Sequence, residues 1–194
     1  MTDRLARVLA AIDKANQADP TQDGSEPAAL RYGRRMSATL AQIAPHASEL
    51  LEIAARAQHI ERWLIPRKSY PDGRIGYLTW RKELQRHHAR RTGDIMAAHG
   101  YDSADIDRVG ALIRKERLKH DPEVQLLEDV ICLVFLQFEA AHFIEKHEDE
   151  KVREILAKTA KKMSDTGLRA AAALELPPRL RRLFTEALAS AGIS

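Results

Sequence analysis

Residues 121–138, DPEVQLLEDVICLVFLQF, constrain the rest of the chain more than any other stretch. Asp121 suits a helix N-cap, Pro122 the first helical position, and Glu123 the positive end of the helix dipole. From Val130 to Leu136 every side chain is apolar, so no face is left for water and the helix is expected to be buried. Glu128 and Asp129 stand at the mouth of that run. A buried carboxylate without a partner is costly, so a basic group or a cation should meet at least one of them.

The remaining periodicity is helical. Leu5, Val8, Leu9 and Ile12 mark a first amphipathic helix, followed by a loop over 16–26 rich in Asp, Gly, Pro and Ser. Leu30, Met36, Leu40 and Ile43 mark a second, stopped by Pro45. A third is expected over about 46–65, with Leu50, Ile53, Ala57, Ile60 and Leu64 facing in and His59 on the opposite face. Two prolines and two glycines make 66–78 a loop, carrying Arg67, Lys68 and Arg74. A fourth helix is expected over about 79–98, with Trp80, Leu84, His87, Arg91 and Ile95 on one face and His88 at its edge. Asp102 or Ser103 caps a fifth. Three further helical segments follow the buried one, the last after Pro177-Pro178. No alternating run flanks a hairpin turn, so no strand is expected.

The reading is all-α: a single domain over 1–194 of about seven to nine helices, with the buried helix from about Asp121 at its centre. At 194 residues, 44% hydrophobic and 30% charged, the chain has the composition of an ordinary globular protein. A net charge of +3 tolerates a phosphorylated ligand without demanding one. The single cysteine, Cys132, excludes a disulfide framework and a cysteine zinc site, and points to a reducing cytoplasm. The opening residues, Met1-Thr2-Asp3-Arg4-Leu5, carry no secretory signal, and no apolar run is long enough for a membrane helix.

Four candidate ligands lie on three helical segments: His59, the pair His87-His88, and Asp129. Imidazole and carboxylate suit one divalent ion, with Zn, Mn, Fe and Ni all admissible. Basic residues accompany them: Arg62, Arg67, Lys68, Arg74, Arg81, Lys115 and Lys119. Guanidinium forks hold phosphate or carboxylate oxygens in pairs, and a metal beside them polarises a phosphoryl oxygen. The expected partner is a small anionic or phosphorylated molecule. An isoelectric point near 9.1 and the basic loop raise an RNA-binding alternative, but no aromatic-interleaved motif supports it. The oligomeric state, a homo-oligomer included, is open.

The order of these residues resembles the HD superfamily of metal-dependent phosphohydrolases, an all-α fold. On that resemblance His59 matches the first His and His87 the second, His88 stands where the paired Asp is expected, and Asp129 matches the final Asp. The HD-like core spans about 46–145, with C-terminal helices over about 149–191 packed on it. The resemblance implies a metal-dependent hydrolase of a small phosphorylated substrate or nucleotide; the alternative is a non-catalytic helical module that binds an anionic ligand. His88 replaces an acid, and Arg91 occupies a region where some nucleotidases carry a catalytic acid, leaving Glu128 as the candidate to activate water. The strings AARAQHIERW at 54–63, GYLTWR at 76–81 and IRKERLK at 113–119 resemble, over roughly residues 10–165, a family of unknown function, DUF4202.

Overall fold

The computed structural model describes residues 3–193; Met1 and Thr2, at the start of the segment read for a signal sequence, lie outside the described residues. The fold is all-α. Ten α-helices occur among the described residues: α1 Asp3–Asn16, α2 Ala28–Ile43, α3 Glu49–Arg56, α4 Gly73–Ala98, α5 Ser103–Arg114, α6 Pro122–Val134, α7 Ala140–Glu145, α8 Asp149–Ala160, α9 Asp165–Ala172 and α10 Pro178–Ser190. The count exceeds the expected seven to nine because a π turn at Phe135–Glu139 separates α6 from α7. Two-residue strands, β1 Gln22–Asp23 and β2 Glu26–Pro27, pair antiparallel around Gly24, too short for an alternating pattern to announce them. None of the described helices is long and apolar enough to cross a membrane.

The chain divides after Arg117 into two compact units. In the first, α4 packs along α5, α3 lies against α5, α2 and α1, and α1 also meets α4. Arg56, at the end of α3, ties three helices together: its Nη1 donates to both oxygens of Asp13 at 3.0 and 3.2 Å, and its Nε donates to Ser37 Oγ at 2.8 Å.

The third helix ends nine residues before the expected boundary. Glu61 adopts a left-handed conformation, φ 50°, and donates its backbone N–H to Oδ1 of the fully buried Asn16 at 3.0 Å. Asn16 thereby satisfies a group that a continuing helix would have paired internally. Ala57 and Ile60 remain fully buried in the resulting turn, whereas Leu64, expected in the core, is exposed. The fourth helix starts earlier than expected, at Gly73. Gly76 sits where the chain at Pro71 crosses it: a Cβ there would lie 1.9 Å from the Pro71 carbonyl oxygen. Of the two glycines that suggested a loop, Gly76 therefore permits a close approach within the first turn of a helix, and Gly73 supplies a positive φ of 84° at its start.

In the second unit α6 packs on α9, and α10 on α8 and α7. Asp121 caps α6 as expected, accepting from the N–H groups of Glu123 (3.0 Å) and Val124 (3.3 Å). Over 130–136 all side chains are buried except Ile131 and Phe135, which are half-buried. A basic group does meet Glu128: Lys162 Nζ lies 3.6 Å from its Oε1. Asp129 is met instead by neutral donors. Ser164 donates its N–H to Oδ1 at 2.8 Å and its hydroxyl to Oδ2 at 2.5 Å, and Gln125 Nε2 donates to Oδ1 at 3.1 Å. The Ser164 hydroxyl oxygen in turn accepts from Gly167 N–H, capping α9.

This cap leaves no room at Gly167, where an added Cβ would lie 2.6 Å from the Asp129 carboxylate. Gly167→Ala should therefore destabilise the protein by about 1–3 kcal/mol, although alanine favours an ordinary helix position. Urea denaturation measures this. Unchanged or increased stability would mean that the Asp129 contact is not held tightly.

Candidate functional site

The sequence-predicted residues divide between the two units. His59, His87, His88, Arg62, Arg67, Lys68, Arg74, Arg81 and Lys115 belong to the first, and Lys119, Glu128 and Asp129 to the second. In the first unit the turn after α3 brings His59, Glu61 and Arg62 beside α4, which carries Arg81, His87, His88 and Arg91. Trp80, Leu84 and Ile95 face inward as expected, but the order within the histidine pair is reversed. His88 is the buried member of the pair, 3% exposed, and His87 is the half-buried one.

His88 is held by its Nδ1, 2.7 Å from the carbonyl oxygen of Ile60. A carbonyl can only accept, so Nδ1 carries the proton and Nε2 presents a lone pair. That Nε2 is buried and has no hydrogen-bond partner among the described residues. Burial, then the positive charge of Arg62, lowers the His88 pKa to about 3, so the ring is neutral at physiological pH. The His59 ring stacks on Tyr32 with centroids 3.6 Å apart and lies 6.4 Å from the His88 ring. Burial holds the His59 pKa well below the ordinary range, reinforced first by Arg62 and then by His88, Arg81 and Lys115.

Two aromatic rings position the guanidinium groups. Arg62 lies over Trp80, its Cζ 4.8 Å from the ring centroid, while the Trp80 indole donates to the Ile65 carbonyl at 2.8 Å. Arg81 lies 5.9 Å from the Tyr77 ring centroid and donates to its hydroxyl at 3.2 Å. Such contacts restrict a flexible cation and hold its plane against the ring.

His87 has different surroundings. Its buried Nε2 is 3.6 Å from Glu61 Oε2, beyond hydrogen-bonding distance and without a partner among the described residues. Burial lowers its pKa, opposed by Glu61 and assisted by Arg90 and Arg91. Glu61 Oε1 accepts from Arg91 Nε at 2.9 Å. Among the described residues, no group of three or more His, Cys, Asp or Glu side chains is placed to hold one metal ion.

The structure thus gathers His59, His88, Arg62, Arg81 and Lys115 into one electrostatic neighbourhood. Of the other basic candidates, Arg67 donates to the Tyr70 carbonyl at 2.9 Å, and Lys119 Nζ to the Met163 carbonyl at 3.2 Å. Lys68 and Arg74 are exposed. Sequence reasoning missed Tyr32, Asn16 and Glu61. The Glu61–Arg91 pair is 30 residues apart in the chain and has no periodic signal, and Asn16 looked like an ordinary loop residue.

These buried neutral imidazoles impose a pH dependence. An unfolded histidine protonates near its ordinary value of 6.5, but His88 in the folded protein resists protonation down to about 3. Between those values the unfolded state binds more protons, so stability is fully present above the unfolded value and falls as pH decreases. The slope attributable to His88 should approach roughly 1.4 kcal/mol per pH unit within that window. Urea denaturation as a function of pH should show a shallower acid slope for His88→Asn than for wild type. Identical slopes would show that His88 is not buried as the neutral form.

A family model described as a domain of unknown function, DUF4202, matches residues 6–184. No curated protein and no solved structure matches this chain. With the match running from α1 into α10, and so across both units, the chain belongs to the DUF4202 family.

Proposed function

We propose that the first unit binds a small anionic ligand, a phosphomonoester or a carboxylate, as a helical binding module. One observation carries this reading: Arg62 and Arg81, held against the Trp80 and Tyr77 rings, both lower the pKa of His59 and of His88 by their positive charge. Arg62 and Arg81 supply planar donors to the anion, and Lys115 adds positive charge. His59, neutral beside Tyr32, contributes a ring nitrogen rather than another charge. The reading retains the cytoplasmic setting expected from the lone Cys132.

A metal-dependent phosphohydrolase, the function implied by HD resemblance, is the second reading. The bare Nε2 of His88 favours it, because a tautomer fixed by a backbone carbonyl is the usual arrangement of a ligating imidazole. One divalent ion held there with His59 or His87 would polarise a phosphoryl oxygen. Two observations weigh toward the anion module. The immediate surroundings of His59 and His88 are cationic, and both oxygens of Asp129 are engaged by Ser164 and Gln125. Glu128, the expected water-activating base, faces Lys162, which suits a structural ion pair as well. For RNA binding there is only the isoelectric point near 9.1 and the basic loop, with no accompanying aromatic motif.

Calorimetry with inorganic phosphate and glycerol phosphate, on protein whose metal content has been measured by elemental analysis, tests both readings. Metal-free wild type should bind, with affinity roughly 10- to 100-fold weaker in Arg81→Ala and unchanged in Arg74→Ala. Equal affinity in wild type and Arg81→Ala would contradict the anion module. Binding only in metal-loaded protein, with metal lost in His88→Ala, would establish the second reading in its place.

A further inference from the structure

We propose that Nε2 of His88 is a nucleophile that accepts a phosphoryl group from a bound phosphate compound, making the site a phosphotransferase or phosphatase that works through a phosphohistidine. This inference rests on the anion-binding reading and goes beyond it by assigning a reaction and a reacting atom.

The argument starts from the unpartnered nitrogen. Nδ1–H is committed to the Ile60 carbonyl at 2.7 Å, so the Nε2 lone pair has a fixed direction, and no described residue donates to it. The oxygens of a fully ionised anion carry no hydrogen and would repel that lone pair. The phosphorus atom of a phosphate compound is electrophilic and would accept it. Nucleophilic imidazoles need this arrangement: a neutral ring, one nitrogen bare, and the other held by an orienting acceptor. Arg62 and Arg81 are the groups suited to the charge that spreads over the phosphoryl oxygens during transfer. Both are half-buried, as is His59, whose ring centroid lies 6.4 Å from that of His88. His87 lacks this setting, because its Nε2 faces the Glu61 carboxylate at 3.6 Å, which would repel a phosphate.

In the first step the Nε2 lone pair forms a bond to phosphorus as the bond from phosphorus to the ester oxygen breaks. The bonding pair leaves with that oxygen, which takes a proton from water, while the Nδ1 proton remains on the ring against the Ile60 carbonyl. In the second step water attacks phosphorus, the N–P bond breaks, and its electron pair returns to Nε2. Inorganic phosphate is released and the water proton passes to solvent. A second acceptor alcohol in place of water completes a transfer instead of a hydrolysis.

Phosphoramidate is a suitable probe, because its P–N bond breaks and ammonia leaves after taking up a proton. Incubation with phosphoramidate followed by intact-mass spectrometry should show one phosphoryl adduct, stable in alkali and labile in acid. The adduct should map to His88, persist in His87→Asn and disappear in His88→Asn, whose amide can still donate to the Ile60 carbonyl. Arg81→Ala should label about tenfold more slowly. Wild type that binds phosphate by calorimetry yet takes no label would overturn the nucleophile assignment and leave the anion site standing. Wild type that binds no phosphate would overturn the anion reading and this proposal together. Label retained by His88→Asn would also overturn it. Should His88→Asn fail to fold, mapping of the wild-type adduct decides, and a label on any residue other than His88 counts against the proposal.

Discussion

The hydrogen bond from the backbone N–H of Glu61 to the side chain of Asn16 is the interaction on which the arrangement of the candidate site depends. It stabilises a left-handed residue other than glycine, a conformation that costs of order 1–2 kcal/mol unless its surroundings enforce it. Because the chain turns there, the Ile60 carbonyl reaches His88 and the Glu61 carboxylate reaches Arg91. A helix continuing to residue 65 would have committed the Ile60 carbonyl to its own ladder. The last residue of α1 thus sets the tautomer of a histidine on α4.

The electrostatics follow from that placement. Burial alone disfavours imidazolium, and Arg62 and Arg81 make it still less favourable at His59 and His88. Neutral imidazoles surrounded by cations form an unusual wall: strongly positive, yet carrying at His88 a bare lone pair. Phosphate chemistry uses both properties, the charge for the oxygens and the lone pair for phosphorus. His87 and His88 are adjacent in sequence, but of the two it is His87 that lies beside a carboxylate, that of Glu61, so they should not share a role.

Much of this organisation was legible in the sequence. Asp121-Pro122 announced the start of α6, the Asp102-Ser103 pair the start of α5, and the apolar run its burial, because caps and periodicity are local signals. The end of α3 was not legible: Ala57 and Ile60 keep helical spacing and remain buried in a turn, so periodicity alone cannot distinguish the two. The same limit reversed His87 and His88, since the face of α4 that turns inward is set by neighbouring helices. The need for partners at Glu128 and Asp129 followed from desolvation, but the donor to Asp129 is a serine 35 residues away, beyond any local pattern. The basic candidates were recognised as a group, while only three-dimensional placement separated Arg62, Arg81 and Lys115 from the exposed Lys68 and Arg74.

The most direct test of the central claim is nitrogen NMR of the histidine side chains, which reports protonation at each ring nitrogen. For His88 the account predicts a protonated Nδ1 and a bare Nε2, with no titration from about pH 8 to about pH 5. A proton on Nε2, or titration near the ordinary histidine value, would contradict it.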